Sequence, residues 1–84
     1  MELEIITPLK VLYSAKITSA VIPSAAGEMG ILPGHANFIV ALTPGIVQLT
    51  NLAGENVKFT LPSGGTAKIL SEKVIILAQE SEAV

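Results

Sequence analysis

The chain has 84 residues, which suits one domain with a single core. Half of its residues are apolar, mainly Ile, Val, Leu and Ala, while seven Glu and five Lys give a net charge of −2 without any Arg, Asp or Cys. This composition argues against nucleic-acid binding, disulfide bonds and cysteine-based metal sites, and its β-branched residues favour an all-β domain.

Short apolar or alternating runs, separated by Pro, Gly and Asn, predict strands along the whole chain. The run 16–23 is predicted to place Ile17, Ser19 and Val21 on one face. The last long run, 73–78, is apolar on both faces, which indicates a central strand or one whose outer face meets a partner. In chain order, strands are predicted at 2–6, 11–13, 16–23, 37–42, 46–52, 56–61, 66–70 and 73–78.

The segment Gly27–His35 is the most distinctive part of the chain. Four of its nine positions are Gly or Pro, and it contains the only histidine. We expect a constrained loop with positive φ angles, in which Ile31 and Leu32 either anchor the loop in the core or belong to a docking surface. This loop is the first candidate for a functional surface.

About nine short strands with frequent turns predict a two-sheet β-sandwich or flattened barrel. Only residues 79–84 have a composition that suits a helix, and that stretch is too short to form one of ordinary length. The high apolar fraction indicates either an unusually complete core or apolar surface that a partner covers. The second alternative suits a subunit better than an independent enzyme.

Catalysis and cofactor binding are poorly supported by the residues. A triad of Ser63, His35 and Glu28 can be written down, but Ser63 does not lie in a nucleophile elbow and no second histidine is present. Gly64 and Gly65 lack the following Lys and Ser or Thr of a phosphate-binding loop, so we interpret them as a tight strand connection. We therefore expect no active site, no metal and no cofactor.

Several motifs in the right order resemble the epsilon subunit of rotary F-type ATP synthases. The sequence G-E-x-G-I-L-P-G-H at Gly27–His35 resembles that family's signature. One departure is Ala15, where the family usually has glycine. The supporting matches are Leu3–Pro8, Val11–Ser14, Leu42–Gly45, Ser63–Gly65 and Val74–Ala78.

The resemblance implies a non-catalytic β-sandwich of about ten strands at the foot of the central stalk. It would bind the gamma subunit and the polar loops of the membrane rotor ring, on the inner face of a bacterial plasma membrane or an equivalent organellar membrane. By position, Glu28 and Met29 would face the ring. Thr7, His35 and Val40 would face gamma.

Members of that family usually continue into a C-terminal helical hairpin, which inhibits ATP hydrolysis and in some cases binds ATP. The sequence stops at Val84, where the hairpin would begin. A native chain of this length would therefore assemble without hairpin inhibition. The alternative function is a β-sandwich adaptor of an unrelated complex, with Gly27–His35 as its ligand-binding surface.

Overall fold

The nine strands of the structure, a computed structural model, account for most of the chain. It describes residues 1–34 and 36–84, and this part of the chain contains no helix. Accordingly, these residues include no helix long and apolar enough to cross a membrane. In chain order the strands are β1 (Glu2–Thr7), β2 (Lys10–Ser24), β3 (Gly27–Ile31), β4 (Phe38–Leu42), β5 (Gly45–Asn51), β6 (Asn56–Leu61), β7 (Gly65–Leu70), β8 (Lys73–Leu77) and β9 (Glu82–Ala83).

The strands pair in the order β1-β8-β7-β4-β2-β5-β6-β9, with β3 added to β2 and a further pairing between β1 and β2. We call β4, β7, β8, β1 and the first half of β2 the front sheet. The second half of β2 together with β3, β5, β6 and β9 is the back sheet. The two sheets enclose one core, which confirms the predicted all-β sandwich or flattened barrel.

Strand β2 joins the two sheets. It is one strand of 15 residues, so the prediction of two separate strands at 11–13 and 16–23 was wrong. Residues 10–16 pair with β1, and residues from Ile17 onward pair with β5 and β3. A strand of this length can serve both sheets because it changes its pairing partners halfway along.

A register shift in β2 also changes which side chains face the core. The pairing with β5 slips between Ile17 and Ser19, as at a β-bulge. Ile17 is buried as predicted, but beyond the shift Ala20 is buried and Val21 is half-exposed. The prediction that Ser19 and Val21 share the face of Ile17 was therefore wrong.

The segment predicted as a single loop at Gly27–His35 contains a strand. Its first part, Gly27–Ile31, is β3 and pairs antiparallel with the end of β2. Positive φ angles occur at Gly27 (112°) and Gly34 (84°), as expected for the turns at either side of the strand. Ile31 lies in the core with no exposed surface, whereas Leu32 is exposed.

The core is built from the inward side chains of both sheets. Tyr13 of the front sheet packs on Phe59 of the back sheet, with ring centroids 4.8 Å apart at an interplanar angle of 53°. Two of the chain's three aromatic residues thus tie the sheets together. The buried apolar side chains are Leu3, Ile5, Ile17, Ala20, Ile22, Ile31, Leu42, Val47, Leu49, Phe59, Leu61, Ala67, Ile69, Val74, Ile76 and Ala78.

The turn between β6 and β7 passes very close to the main chain of two other segments. A Cβ atom on Gly64 would lie 2.3 Å from the Leu42 carbonyl oxygen, and one on Gly65 would lie 2.3 Å from the Leu77 carbonyl oxygen. Gly64 also has a φ of 68°. The interpretation of this pair as a tight strand connection is confirmed.

Candidate docking surface

The two residues assigned to a ring contact lie side by side on β3 but differ in exposure. Glu28 pairs with Pro23 of β2, and Met29 pairs with Ile22. Glu28 is exposed, while Met29 is half-buried against the core. Because side chains alternate along a strand, Glu28 and Gly30 point outward and Met29 points inward. Of the two predicted ring residues, Glu28 is therefore the more available to a partner.

The hairpin that carries Glu28 is held in place at its tip. The buried Ser24 hydroxyl donates a hydrogen bond of 2.5 Å to the Gly27 carbonyl oxygen. The Pro23 carbonyl oxygen accepts a hydrogen bond of 2.9 Å from the Thr43 main-chain nitrogen. The first bond closes the β2–β3 turn, and the second attaches the end of β2 to the β4–β5 turn. Together they hold the backbone around Glu28 in place.

The two described residues assigned to gamma binding lie on the front sheet. Thr7 ends β1, and its hydroxyl donates a hydrogen bond of 3.3 Å to the Lys10 carbonyl oxygen. Val40 lies on β4 and is half-buried against the core. Strands β1 and β4 are separated by β8 and β7, three strand spacings or roughly 14 Å. Thr7 and Val40 thus belong to the same sheet without touching.

The prediction for His35 lies outside the described residues. The described residue before it, Gly34, has a main-chain nitrogen that donates a hydrogen bond of 2.7 Å to the Ser71 carbonyl oxygen. Gly34 is therefore attached to the turn between β7 and β8. Glu28 lies at the other end of β3. It pairs with Pro23, whose carbonyl oxygen accepts the hydrogen bond from Thr43 in the β4–β5 turn.

Two exposed apolar side chains on the front sheet were missed by the site predictions. Ile39 of β4 is 69% exposed and Leu77 of β8 is 48% exposed. They lie in different rows of the outer face: the row of Ile39 continues to Lys68, Ile75 and Glu4, whereas Leu77 pairs with Thr66 and Ile6. The sequence did contain a signal for an exposed apolar side chain on β4. Residues 38–42 are all apolar, so both faces of this strand carry apolar side chains. Strand β8 pairs with β1 on one side and β7 on the other, so it is a central strand, as one of the two interpretations predicted.

Charges on the described surface are sparse. Lys73 and Glu4 form the ion pair found among the described residues, with 3.1 Å between the Lys73 ammonium and a Glu4 carboxylate oxygen. Within the same residues, no three His, Asp or Glu side chains cluster as metal ligands would. The surface offers instead exposed apolar side chains among charged ones on the front sheet and, on the back sheet, an open strand that carries Glu28.

The described structure is a small closed β-sandwich. Comparison with known proteins makes this class specific: the chain belongs to the family described as the ATP synthase delta/epsilon chain β-sandwich domain, whose family model matches residues 1–84. This match confirms the resemblance that the motifs had indicated.

Curated relatives include two bacterial proteins named ATP synthase epsilon chain. The one from Granulibacter bethesdensis is 40% identical over 82 residues, which covers 98% of this chain and 60% of the relative. The one from Campylobacter hominis is 36% identical over 76 residues, covering 90% of this chain and 58% of the relative. The chain thus spans about 60% of the length of the curated relatives it matches.

Two solved structures share the fold. A chain in the cryo-EM structure of Euglena gracilis mitochondrial ATP synthase, OSCP/F1/c-ring in rotational state 1, superposes with a TM-score of 0.86 at 25% identity, covering 96% of this chain and 51% of that one. A chain of the Tetrahymena thermophila mitochondrial ATP synthase central stalk and c-ring gives 0.77 at 16% identity, covering 98% and 65%. The second likeness concerns the fold alone.

Proposed function

We propose that this domain is the β-sandwich part of a non-catalytic central-stalk subunit of a rotary ATP synthase. It would link the gamma subunit to the membrane rotor ring, so that proton-driven rotation is coupled to ATP synthesis. The observation that carries this proposal is the match of all 84 residues to the delta/epsilon β-sandwich family. The likeness to a chain in an assembly containing F1 and a c-ring supports the rotor partners.

The two faces of the sandwich suit two different partners. In this proposal the front sheet, which carries Thr7 and Val40, turns toward gamma. Thr7, Val40 and His35 are the gamma contacts implied by the family resemblance. The exposed apolar side chains of Ile39 and Leu77, with Lys68 between their strands, favour a protein partner, since protein interfaces combine apolar and polar contacts. Glu28 and Met29 on β3 would face the ring.

A mechanical role requires a domain that does not deform under load. The sheets close around a continuous core, and β2 belongs to both of them. Protein interiors are packed as densely as organic crystals and have low compressibility. A torque applied at one face would therefore be passed to the other face by the whole domain. The protein would act at the inner face of a bacterial or organellar membrane, attached through the complex.

Cross-linking tests both contacts in one experiment, because the chain contains no cysteine. Single variants Glu28→Cys and Thr7→Cys would carry a maleimide photo-cross-linker and be mixed with gamma and the rotor ring from the same organism. Leu52→Cys is the control, since Leu52 is 65% exposed in the β5–β6 hairpin, far along the sandwich from Glu28.

We expect Glu28→Cys to cross-link to a ring subunit and Thr7→Cys to cross-link to gamma, with little product from Leu52→Cys. Equal, weak products from all three positions would contradict the proposed function. Cross-linking of Glu28→Cys to gamma would still support a role in the rotor, but it would assign the back sheet to gamma and not to the ring.

A further inference from the structure

Two serines are the buried polar side chains of the described chain, and they differ in hydrogen bonding. Ser24 is 6% exposed, and its hydroxyl donates a hydrogen bond of 2.5 Å to the Gly27 carbonyl oxygen. Ser81 is 9% exposed, and its hydroxyl oxygen has no hydrogen-bond partner among the described residues. A buried hydroxyl without a partner has lost its hydrogen bonds to water and gained none in return. The folded position of Ser81 is therefore costly.

Ser81 belongs to the last six residues, 79–84, which we call the strap. It is the one residue of the strap that is buried. The apolar residues of the strap, Ala83 and Val84, are both exposed, Val84 at 75%. The hydrophobic effect scales with the apolar area removed from water, so it contributes little to holding the strap on the domain.

A few main-chain contacts attach the strap to the edge of β6. Strand β9 has two residues, which pair with Phe59 and Thr60. The Val84 main-chain nitrogen donates a hydrogen bond of 2.9 Å to the Lys58 carbonyl oxygen. The Thr60 hydroxyl donates one of 3.4 Å to the Glu82 carbonyl oxygen. Such a short, exposed strand lies at the low end of the local stabilities found within a folded protein.

Open space lies beside the strap on its other side. A cavity of about 290 Å³ is lined by Leu9, Lys10 and Leu12 of the β1–β2 hairpin and by residues 79–81 of the strap. The hairpin therefore does not pack closely on this part of the strap.

The chain is well held up to Ala78, immediately before the strap. Ala78 is buried, and its main-chain nitrogen donates a hydrogen bond of 3.0 Å to the Ile6 carbonyl oxygen. The next two residues, Gln79 and Glu80, are exposed and lie outside the strands. A hinge at these two residues leaves the pairing of β8 with β1 and β7 intact.

We propose that the strap is a releasable segment, which docks on β6 in one state and detaches from it in another by opening at Gln79 and Glu80. Detachment lets water bond the Ser81 hydroxyl and gives up only the short pairing of β9. It leaves β6 as an open edge strand at Phe59 and Thr60, so the strap controls access to this edge of the back sheet. The property belongs to the domain itself and does not depend on the proposed function.

Thiol labelling tests the release, because the chain contains no cysteine. Ser81→Cys places a buried thiol on the strap, and Ellman's reagent reaches it only when the strap detaches. Since a thiol tolerates burial better than a hydroxyl, the labelling rate is a lower limit for release in wild type.

Two further cysteine variants are the controls for thiol labelling. Ala67→Cys reports global opening, because Ala67 is fully buried in β7. Ala78→Cys reports opening before the hinge, because Ala78 is buried next to the strap. Circular dichroism and urea unfolding show that each variant is folded.

We expect Ser81→Cys to be labelled at least about a hundredfold faster than either control. Low concentrations of urea should hardly change its rate, because local release exposes little surface, whereas global unfolding exposes the whole core. Equal rates with equal urea dependence at all three positions would show that the strap opens only with the whole domain. Fast labelling of Ala78→Cys as well would contradict a hinge after Ala78. Either result would overturn the inference.

Hydrogen exchange tests the role of the Ser81 hydroxyl. Ser81→Ala removes the unpartnered group, so exchange of the Val84 amide hydrogen should slow by about tenfold. Ser24→Ala is the matched control, because it removes a buried hydroxyl that has a partner, and it should leave exchange at Val84 unchanged. Unchanged or faster exchange in Ser81→Ala would show that the hydroxyl does not oppose docking, and the inference would fail.

Discussion

Two glycine-containing stretches of this domain use glycine for opposite purposes. In the β6–β7 turn, Gly64 and Gly65 lie against the carbonyl oxygens of Leu42 and Leu77, where any side chain would collide with main chain. In β3, Gly30 faces open space. The first stretch is glycine-rich because the fold requires it, whereas the second has a glycine that the isolated fold does not require.

The difference separates a pair of glycines that close packing requires from a glycine that the packing of the domain does not require. Substitution in the turn should change stability, with binding lost only as the fold is lost. Substitution at Gly30 should leave the fold and its stability intact. Three stability measurements test this separation, and a fourth measurement, on the assembled rotor, tests the proposed function.

The largest stability effect is expected for Gly65→Ala. The new Cβ would lie 2.3 Å from the Leu77 carbonyl oxygen, and neither backbone can move without disturbing the pairing of β7 with β8. We expect a loss of roughly 3 kcal/mol of unfolding free energy, at the upper part of the usual range for overpacking. Urea unfolding measures it. A loss below about 1 kcal/mol would show that the turn relaxes easily and would remove the contrast with β3.

A smaller effect is expected for Ser24→Ala at the tip of the β2–β3 hairpin. The substitution removes the donor of the 2.5 Å hydrogen bond to the Gly27 carbonyl oxygen. We expect a loss of about 1 kcal/mol, measured by urea unfolding, because water can partly replace the donor at the exposed Gly27.

The matched control for Ser24→Ala is Thr18→Ala. It removes an exposed hydroxyl that donates a hydrogen bond of 3.2 Å to the Thr50 carbonyl oxygen. Its effect should be smaller than that of Ser24→Ala. Equal effects from both variants would indicate that the hairpin tip has no special role in holding β3.

The smallest effect, and the only gain, is expected for Gly30→Ala in the isolated domain. Replacing glycine in a strand interior reduces the freedom of the unfolded chain, and the new methyl group meets no atom within 4 Å. We expect a gain of about 0.5–1 kcal/mol in thermal or urea unfolding. Destabilisation would reveal an intrachain need for glycine at position 30 and would remove the contrast with the β6–β7 turn.

Much of the fold followed from the sequence because strand alternation and turn residues are local signals. The register shift between Ile17 and Ser19 was missed because β5 imposes it through pairing, and no residue type in the run announces it. Gly27–Ile31 was misassigned to a loop because its two glycines resemble turn residues. Their different roles depend on φ and on neighbouring atoms, which sequence alone does not provide.

The candidate site was predictable only as far as family motifs extend. The motifs selected Glu28, and the structure places it on an exposed strand face. They also selected Val40, which packs on the core, while the neighbouring Ile39 is 69% exposed. The apolar run 38–42 could not distinguish the two, because both faces of β4 are apolar.

A cryo-EM reconstruction of gamma and the rotor ring with this chain bound tests the central claim most directly. The account predicts density of a ring subunit at Glu28 on β3 and density of gamma against the front sheet. A reconstruction in which the outer face of β3 is open to solvent, or in which gamma covers it, would contradict the account.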